Sequence, residues 1–221
     1  MATIIITGAN RGIGLELARQ YAEEGHEVIR AMRGVDQAEP VFGTTMTLDV
    51  TDAESVAKFA AALDDKPVDL LVNNAGISGP SPQSALEMDF AGFAQVLDAN
   101  VLGPLRVTQA LLPNLRKADG AKIAVVSSRM GSMAIPQSGH VAYRASKAAV
   151  NKVFQCLASE LTGEGIAVTM LHPGWVRTDM GGPNADIDVA TSAQGIRKVL
   201  AGLGMGNTGR FYAYNGEELA W

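Results

Sequence analysis

The sequence predicts an α/β fold in which a doubly wound parallel sheet is covered by helices on both faces, giving three αβα layers. Short apolar runs alternate along the chain with longer segments of helical period. Several of these runs are apolar without polar alternation, as expected of strands that are buried on both faces. With 221 residues and 47% hydrophobic content, the chain can form a full core, and a single domain spanning residues 1–221 is expected.

Six apolar runs, each five or six residues long, are predicted to be strands. In chain order they are Thr3–Thr7, Glu27–Ala31, Thr44–Leu48, Val68–Val72, Lys122–Val126 and Ile166–Leu171.

Helical spacing separates these runs. Thr51 and Glu54 form a candidate capping box for the second helix. The polar segment Gly181–Asp186 is predicted to be a loop. The predicted helices cover Ile13–Tyr21, Val56–Leu63, two parts of Ser84–Arg116 with a bend or restart at Gly103-Pro104, Val141–Leu161 and, with a weaker pattern, Asp188–Leu200.

Composition and charge exclude several classes of protein. The chain has 23 acidic and 18 basic residues and a net charge of -5, which disfavours binding to a nucleic acid backbone. A single Cys156 excludes an intrachain disulfide framework, and His26, His140 and His172 are too far apart for a zinc pattern. The N-terminal residues do not resemble a secretory signal, and no apolar run approaches membrane-spanning length. A soluble, cytoplasmic protein without a metal or membrane partner is therefore expected.

The segment Thr7–Gly14 joins the first strand directly to the first helix and contains three glycines. Gly8 suits a tight turn, Gly12 allows close approach of a pyrophosphate, and Gly14 allows the helix to pack against the sheet. The free N–H groups of the helix N-terminus attract an anion, so a dinucleotide-binding Rossmann fold is predicted. A glycine-rich turn without a ligand is the alternative, and no Lys-Ser/Thr follows as in a P-loop. The candidate binding residues here are Gly8, Asn10, Arg11, Gly12, Ile13 and Gly14.

The end of the second strand bears on the choice of cofactor. A carboxylate at this place would bind the ribose 2′-hydroxyl of NAD, but the sequence there is Arg30-Ala31-Met32-Arg33. Arg33 and Arg11 instead favour a 2′-phosphate through charge-assisted hydrogen bonds. NADP(H) is therefore predicted over NAD(H), with an ordinary solvated Arg33 as the alternative.

Tyr143 and Lys147 stand four residues apart at the start of the long helical segment, so they project from one face. A nearby ammonium lowers the pKa of a phenol, which makes the tyrosine usable as a general acid or base at neutral pH. The alternative is a surface pair without chemistry.

These segments together resemble the short-chain dehydrogenase/reductase family along essentially the whole chain. The sequence segments around Ser128, Tyr143 and Pro173 are most similar to those of the C-factor and sniffer-type carbonyl reductase branch. The matching pieces, in family order, are Thr7–Gly14, Asp49-Val50, Asn73-Asn74-Ala75-Gly76, Asn100, Ser127-Ser128, Tyr143–Lys147 and Pro173-Gly174 with Thr178.

The resemblance implies a catalytic set. Ser128 would polarise the substrate carbonyl, and Tyr143 would transfer the proton. Asn100 would hold a water and extend a proton relay to Lys147, which would also bind the nicotinamide ribose. Asn100 has a simpler reading as a buried polar residue that satisfies the backbone.

The resemblance also implies further cofactor contacts. Those on the adenosine side are Asp49, Val50, Asn74, Ala75 and Gly76, and those on the nicotinamide side are Pro173, Gly174, Val176 and Thr178. Structural alternatives remain for these positions: Asp49 as a residue at a helix start, Asn73–Gly76 as a turn after a strand, and Thr178 with Asp179 as an N-cap pair.

One departure concerns the serine. Ser128 precedes Tyr143 by 15 residues, whereas the family commonly uses about 13, and the segment Met130–His140 accommodates the difference. Ser127 and Ser132 are therefore alternative carbonyl donors, although Gly131 follows Ser128 at the family spacing. Only Met180–Ile187 is available as a lid, which suggests an open pocket.

The resulting expectation is NADPH-dependent reduction of a small aldehyde, ketone or quinone. A non-catalytic, C-factor-like signalling protein and a dehydrogenase acting in the oxidative direction are the alternatives. The family implies a homodimer or homotetramer, although some relatives are monomers.

Overall fold

The structure is a computed structural model that describes residues 1–34 and 42–221. Within this part of the chain, seven parallel strands form a central sheet in the order β3-β2-β1-β4-β7-β8-β9, and β5 and β6 form a separate antiparallel hairpin. The strands are β1 (Thr3–Thr7), β2 (Glu27–Met32), β3 (Thr44–Thr47), β4 (Leu70–Asn73), β5 (Gln83–Ser84), β6 (Glu87–Met88), β7 (Lys122–Val126), β8 (Ala167–His172) and β9 (Arg210–Ala213).

The helices lie between the strands, as predicted. They are α1 (Gly12–Glu23), α2 (Ala53–Leu63), α3 (Phe90–Leu97), α4 (Gly103–Leu115), α5 (Val141–Leu161) and α6 (Val189–Ala201), with a π-helical turn at Asp98–Leu102 and 3-10 turns at Arg129–Gly131, Thr162–Glu164 and Met205–Asn207. None of the described helices is long and apolar enough to span a bilayer.

The core lies on both faces of the sheet. Neighbouring residues of β1 point to opposite sides, so Ile5 joins one cluster with Phe59 and Phe154, while Ile4 joins another with Leu17. Helices α2, α4 and α5 cover the first face, and α1 and α6 cover the second. This burial on both faces explains why the strand sequences lack polar alternation, and it confirms the doubly wound three-layer prediction.

All six predicted strands are present. β1 and β7 have the predicted bounds, the other four are shifted slightly at their ends, and α5 begins and ends at the predicted residues. The predicted capping box at Thr51 is wrong, because Asp52 is the N-cap of α2 and its side chain accepts from the Glu54 N–H. Thr51 instead donates its hydroxyl to Asp49. Of the predicted bend or restart at Gly103-Pro104, the structure shows the restart, because α4 begins at Gly103. The chain between α3 and α4 forms the π-helical turn just before it.

Candidate active site

The loop after β1 has the backbone shape that the glycine pattern predicts. Gly8 and Gly12 have φ values of +66° and +57°, in the left-handed region that favours glycine. A Cβ at Gly14 would lie 2.4 Å from Asn74 Nδ2 and 2.6 Å from the Gly8 carbonyl oxygen. Helix α1 starts without a side-chain cap and has no acidic residue in its first turn. Its N–H groups and positive dipole end therefore fit a pyrophosphate.

Asn74 braces this loop from the end of β4. Its Nδ2 donates to the carbonyl oxygens of Thr7 at 3.0 Å and Gly8 at 3.2 Å. The Thr7 hydroxyl accepts in turn from the backbone N–H groups of Asn74 and Ala75, each at 3.0 Å. Asn74 therefore has a structural role at the turn after β4, as the alternative interpretation of Asn73–Gly76 predicted. Thr7 is a supporting residue that the sequence analysis did not single out.

Arg11 and Arg33 are the two arginines predicted to favour a 2′-phosphate. Arg33 is exposed just beyond β2, and Arg11 forms an exposed ion pair with Asp179. Asp49 accepts from the Thr51 N–H at 2.9 Å and hydroxyl at 2.7 Å, and these bonds, with help from the charge of Arg33, hold its carboxyl pKa below the ordinary value. Asp49 therefore also organises the start of α2, as its structural alternative proposed.

Tyr143 and Ser128 meet at the carboxyl edge of the sheet. Ser128 follows β7, and Tyr143 lies in the first turn of α5. Burial raises the pKa of the Tyr143 phenol, while the nearby Ser128 side chain acts in the lowering direction. The prediction that Lys147 lowers the pKa of Tyr143 is wrong for this structure, because the pKa of the phenol is raised.

Lys147 is only 6% exposed, and burial lowers the pKa of its ammonium to about 8. Its Nζ lies 5.5 Å from the centre of the Tyr143 ring and donates to the Val126 carbonyl oxygen at 2.8 Å. Burial sets the direction of the phenol pKa, and the ammonium donates to the backbone rather than to the Tyr143 hydroxyl. The pair nevertheless shares one face of α5, as its spacing predicts.

The three candidate serines have different partners. Ser127 is buried and donates to the Lys147 carbonyl oxygen at 3.4 Å, while Ser132 accepts from the Ala134 N–H at 3.3 Å. Ser128 accepts from the Met130 N–H at 3.1 Å and is the one of the three whose side chain influences the pKa of Tyr143. This geometry favours Ser128 as the carbonyl donor.

Asn100 lies in the π-helical turn and is 1% exposed. Its Oδ1 accepts from the Ile77 N–H at 2.8 Å, and its Nδ2 donates to the Ile77 carbonyl oxygen at 2.9 Å and to the Ser146 hydroxyl at 3.0 Å. The amide thus ties the segment after β4 to α5, in keeping with the reading of a buried polar residue. π-Helical turns are frequent at functional sites, and the sequence analysis did not predict this one.

The segment after β8 folds back toward the loop at Gly8–Gly14, here called the glycine loop. Val176 is buried and pairs with Ile187, and Pro173 accepts from the Ser192 hydroxyl at 2.6 Å. A Cβ at Gly12 would lie 3.4 Å from Thr178 Cγ2, so the two segments are adjacent. The alternative of an N-cap at Thr178 is wrong, because no helix begins there and its hydroxyl accepts from the Gly181 N–H in a turn.

Comparison with known proteins agrees with this geometry. The sequence profile of the family described as short chain dehydrogenase matches residues 2–187. The chain is 46% identical over 165 residues to the C-signal of Myxococcus xanthus, covering 74% of this chain and 98% of the relative.

Two solved structures match over the whole chain. The NADPH-bound carbonyl reductase from chicken fatty liver has a TM-score of 0.93 at 31% identity, covering 100% of this chain and 99% of that one. The carbonyl reductase Sniffer of D. melanogaster has a TM-score of 0.93 at 31% identity, covering 100% of both chains. The predicted branch is thereby confirmed. The chain belongs to the short chain dehydrogenase family and is an NAD(P)-dependent oxidoreductase.

Proposed function

We propose that this protein is an NADPH-dependent carbonyl reductase acting on a small aldehyde, ketone or quinone. The observation that carries the proposal is the placement of the Ser128 and Tyr143 side chains near each other, on the same sheet edge as the glycine loop. Two hydroxyls at this edge are suited to binding one carbonyl oxygen from two directions. NADPH, when bound, supplies the hydride that reduces the carbonyl carbon.

Each catalytic side chain has a proposed role. Ser128 donates to the carbonyl oxygen and stabilises the negative charge that develops there. Tyr143 transfers its phenolic proton to that oxygen, and its raised pKa keeps the proton on the phenol until the oxygen becomes basic. Lys147 holds a buried positive charge beside the phenol and binds the nicotinamide ribose. Asn100 supports the relay to Lys147 through a water.

The cofactor is proposed to lie along the carboxyl edge. The glycine loop, from Gly8 to Gly14, would bind the pyrophosphate, and Arg11 and Arg33 would bind the 2′-phosphate. The carbonyl reductase from chicken fatty liver was solved with NADPH, which supports the preference for NADP(H). Asp49, Val50, Asn74, Ala75 and Gly76 would contact the adenosine side, and Pro173, Gly174, Val176 and Thr178 would contact the nicotinamide.

The proposal is tested by a screen of aldehydes, ketones and quinones in which NADPH oxidation is followed by absorbance. We expect turnover with at least one carbonyl class, and a preference for NADPH over NADH that falls about tenfold in an Arg33→Ser variant. Tyr143→Phe should abolish turnover, whereas Tyr212→Phe on β9 serves as the matched control and should retain it. Preference for NADH in the unmodified chain would contradict the charge argument.

A signalling role is the second candidate, favoured by the 46% identity to the C-signal of M. xanthus. In that case dinucleotide binding would serve folding or sensing. NADPH that binds but is not oxidised with any compound of the screen would favour this candidate over the reductase. Alcohol oxidation would use the same residues. Comparing the rates of carbonyl reduction and of alcohol oxidation would show which direction the protein prefers.

A further inference from the structure

Helix α5, which carries Tyr143, begins without a cap from its own neighbouring residues. His140 is the N-cap residue, has left-handed backbone angles (φ 50°, ψ 36°) and makes no capping hydrogen bond with its side chain. The Tyr143 N–H belongs to the first turn, where the helix itself offers no acceptor. Gln83 supplies one, because its Oε1 accepts from the Tyr143 N–H at 3.0 Å across a separation of 60 residues.

The other end of the Gln83 amide is also held. Its Nε2 donates to the Ser78 carbonyl oxygen at 2.6 Å, and its backbone pairs with Met88 in the β5–β6 hairpin. The amide therefore has a defined orientation, with the oxygen toward α5 and the nitrogen toward the segment after β4. A cap held at both ends fixes the position of the helix turn that it contacts.

Asn100 makes a parallel connection a few residues away. It binds both backbone groups of Ile77 and the Ser146 hydroxyl of α5. The segment Ile77–Gln83 is thus connected to the first turns of α5 twice, directly at the Tyr143 N–H and through Asn100 at Ser146. Both side-chain amides contact the helix turns that carry Tyr143.

We propose that Gln83 is a positioning residue for Tyr143, acting through the backbone of the first turn of α5. This inference rests on the proposed function, in which Tyr143 transfers the proton. Loss of the acceptor would leave the Tyr143 N–H without its partner and let the first turn fray. The phenol would then leave the alignment with Ser128 that proton transfer requires, and such small displacements reduce turnover strongly.

Matched variants separate the acceptor from the rest of the side chain. Gln83→Leu and Gln83→Met remove the amide, whereas Gln83→Glu keeps an acceptor oxygen for the Tyr143 N–H and loses only the donor to the Ser78 carbonyl oxygen. We expect kcat to fall about tenfold in the Leu and Met variants and to stay within about threefold in the Glu variant. The KM and Kd for NADPH should stay within about twofold in all three. Glu87→Gln, on the exposed strand of the same hairpin, is the control and should match the unmodified chain.

Hydrogen exchange of the Tyr143 amide tests the cap without any turnover. Exchange should be about tenfold faster in the Leu and Met variants and close to the original rate in the Glu variant. Unchanged kcat and exchange in either amide-free variant that folds would overturn the inference. Equal losses of kcat in the Glu and Leu variants would also overturn it if only the Leu variant exchanged the Tyr143 amide faster. Absence of carbonyl reduction by the unmodified chain would overturn the proposed function instead, while the exchange rates would still decide whether Gln83 caps α5.

Discussion

The glycine loop and the catalytic edge, where Ser128, Tyr143 and Lys147 lie, are adjacent in the molecule but are built differently. The loop at Gly8–Gly14 depends on backbone shape: left-handed glycines, a free helix N-terminus and the bracing amide of Asn74. The catalytic edge depends on buried polar side chains, above all Lys147 and Ser128, whose partners come from distant segments. Under the proposed function the loop would determine cofactor binding and the edge would determine the chemistry, so variants in the two regions should affect different kinetic constants.

The largest effect is expected at the catalytic edge. Lys147→Met should lower kcat about 10³-fold, because the buried positive charge beside Tyr143 is lost. Steady-state kinetics with a responsive carbonyl compound would measure this. Lys152→Met, one turn later on the exposed side of α5, is the matched control and should retain kcat.

The same variant should be more stable than the original chain. Burial lowers the pKa of Lys147 from 10.5 to about 8, so folding is disfavoured by the charged form. Replacing it by Met should raise the free energy of unfolding by about 1–3 kcal/mol. The gain should be complete below about pH 8 and should shrink as the pH rises toward 10.5, where the unfolded lysine also loses its proton. Denaturant unfolding at several pH values would measure it, and a less stable variant at pH 7 would contradict the assignment of a strained buried charge.

A smaller effect on a different constant is expected in the glycine loop. Gly14→Ala places a Cβ against Asn74 Nδ2 and the Gly8 carbonyl oxygen, which forces the loop to shift. We expect the Kd for NADPH to rise about 10- to 100-fold while kcat at saturating NADPH changes little. Fluorescence titration with NADPH measures the first quantity. Gly163→Ala is the control, since a Cβ there meets no atom within 4 Å. A loss of kcat without a change in Kd would reverse the proposed division between the two regions.

The smallest effect concerns pH. Carbonyl reduction needs Lys147 protonated, and burial lowers its pKa to about 8. The raised pKa of Tyr143 keeps the phenol protonated over the same range. We therefore expect kcat/KM for the carbonyl compound to be level below pH 7, to be halved at about pH 8 and to decline further above it. A kcat/KM that rises with pH up to 10 would indicate that a deprotonated group drives reduction.

Much of the fold follows from local sequence patterns. Strand β1 and helix α5 were predicted to the residue, because apolar runs and helical periods are properties of neighbouring residues. The edge strand β9 and the two strands of the β5–β6 hairpin were missed. Two residues show no usable period, and β9 starts with the exposed Arg210 rather than forming a continuous apolar run. Their existence depends on a partner strand that lies far away or on a turn.

The candidate site divides in the same way. The glycine loop and the pairing of Tyr143 with Lys147 follow from spacing alone. The bracing by Thr7, the π-helical turn at Asn100 and the cap from Gln83 depend on contacts between distant segments, which a single sequence does not encode in any local pattern. The direction in which the Tyr143 pKa shifts could not be predicted from the sequence either. It depends on how deeply the phenol is buried and on which group Lys147 Nζ contacts.

The most direct test of the division between binding and chemistry measures both quantities on one variant. Tyr143→Phe removes only the phenolic oxygen, so its Kd for NADPH should stay within about twofold of the original value. Its single-turnover rate of NADPH oxidation with a carbonyl compound should fall by at least about 10³-fold. A single-turnover rate within about tenfold of the original, at unchanged Kd, would contradict the assignment of Tyr143 as the proton donor.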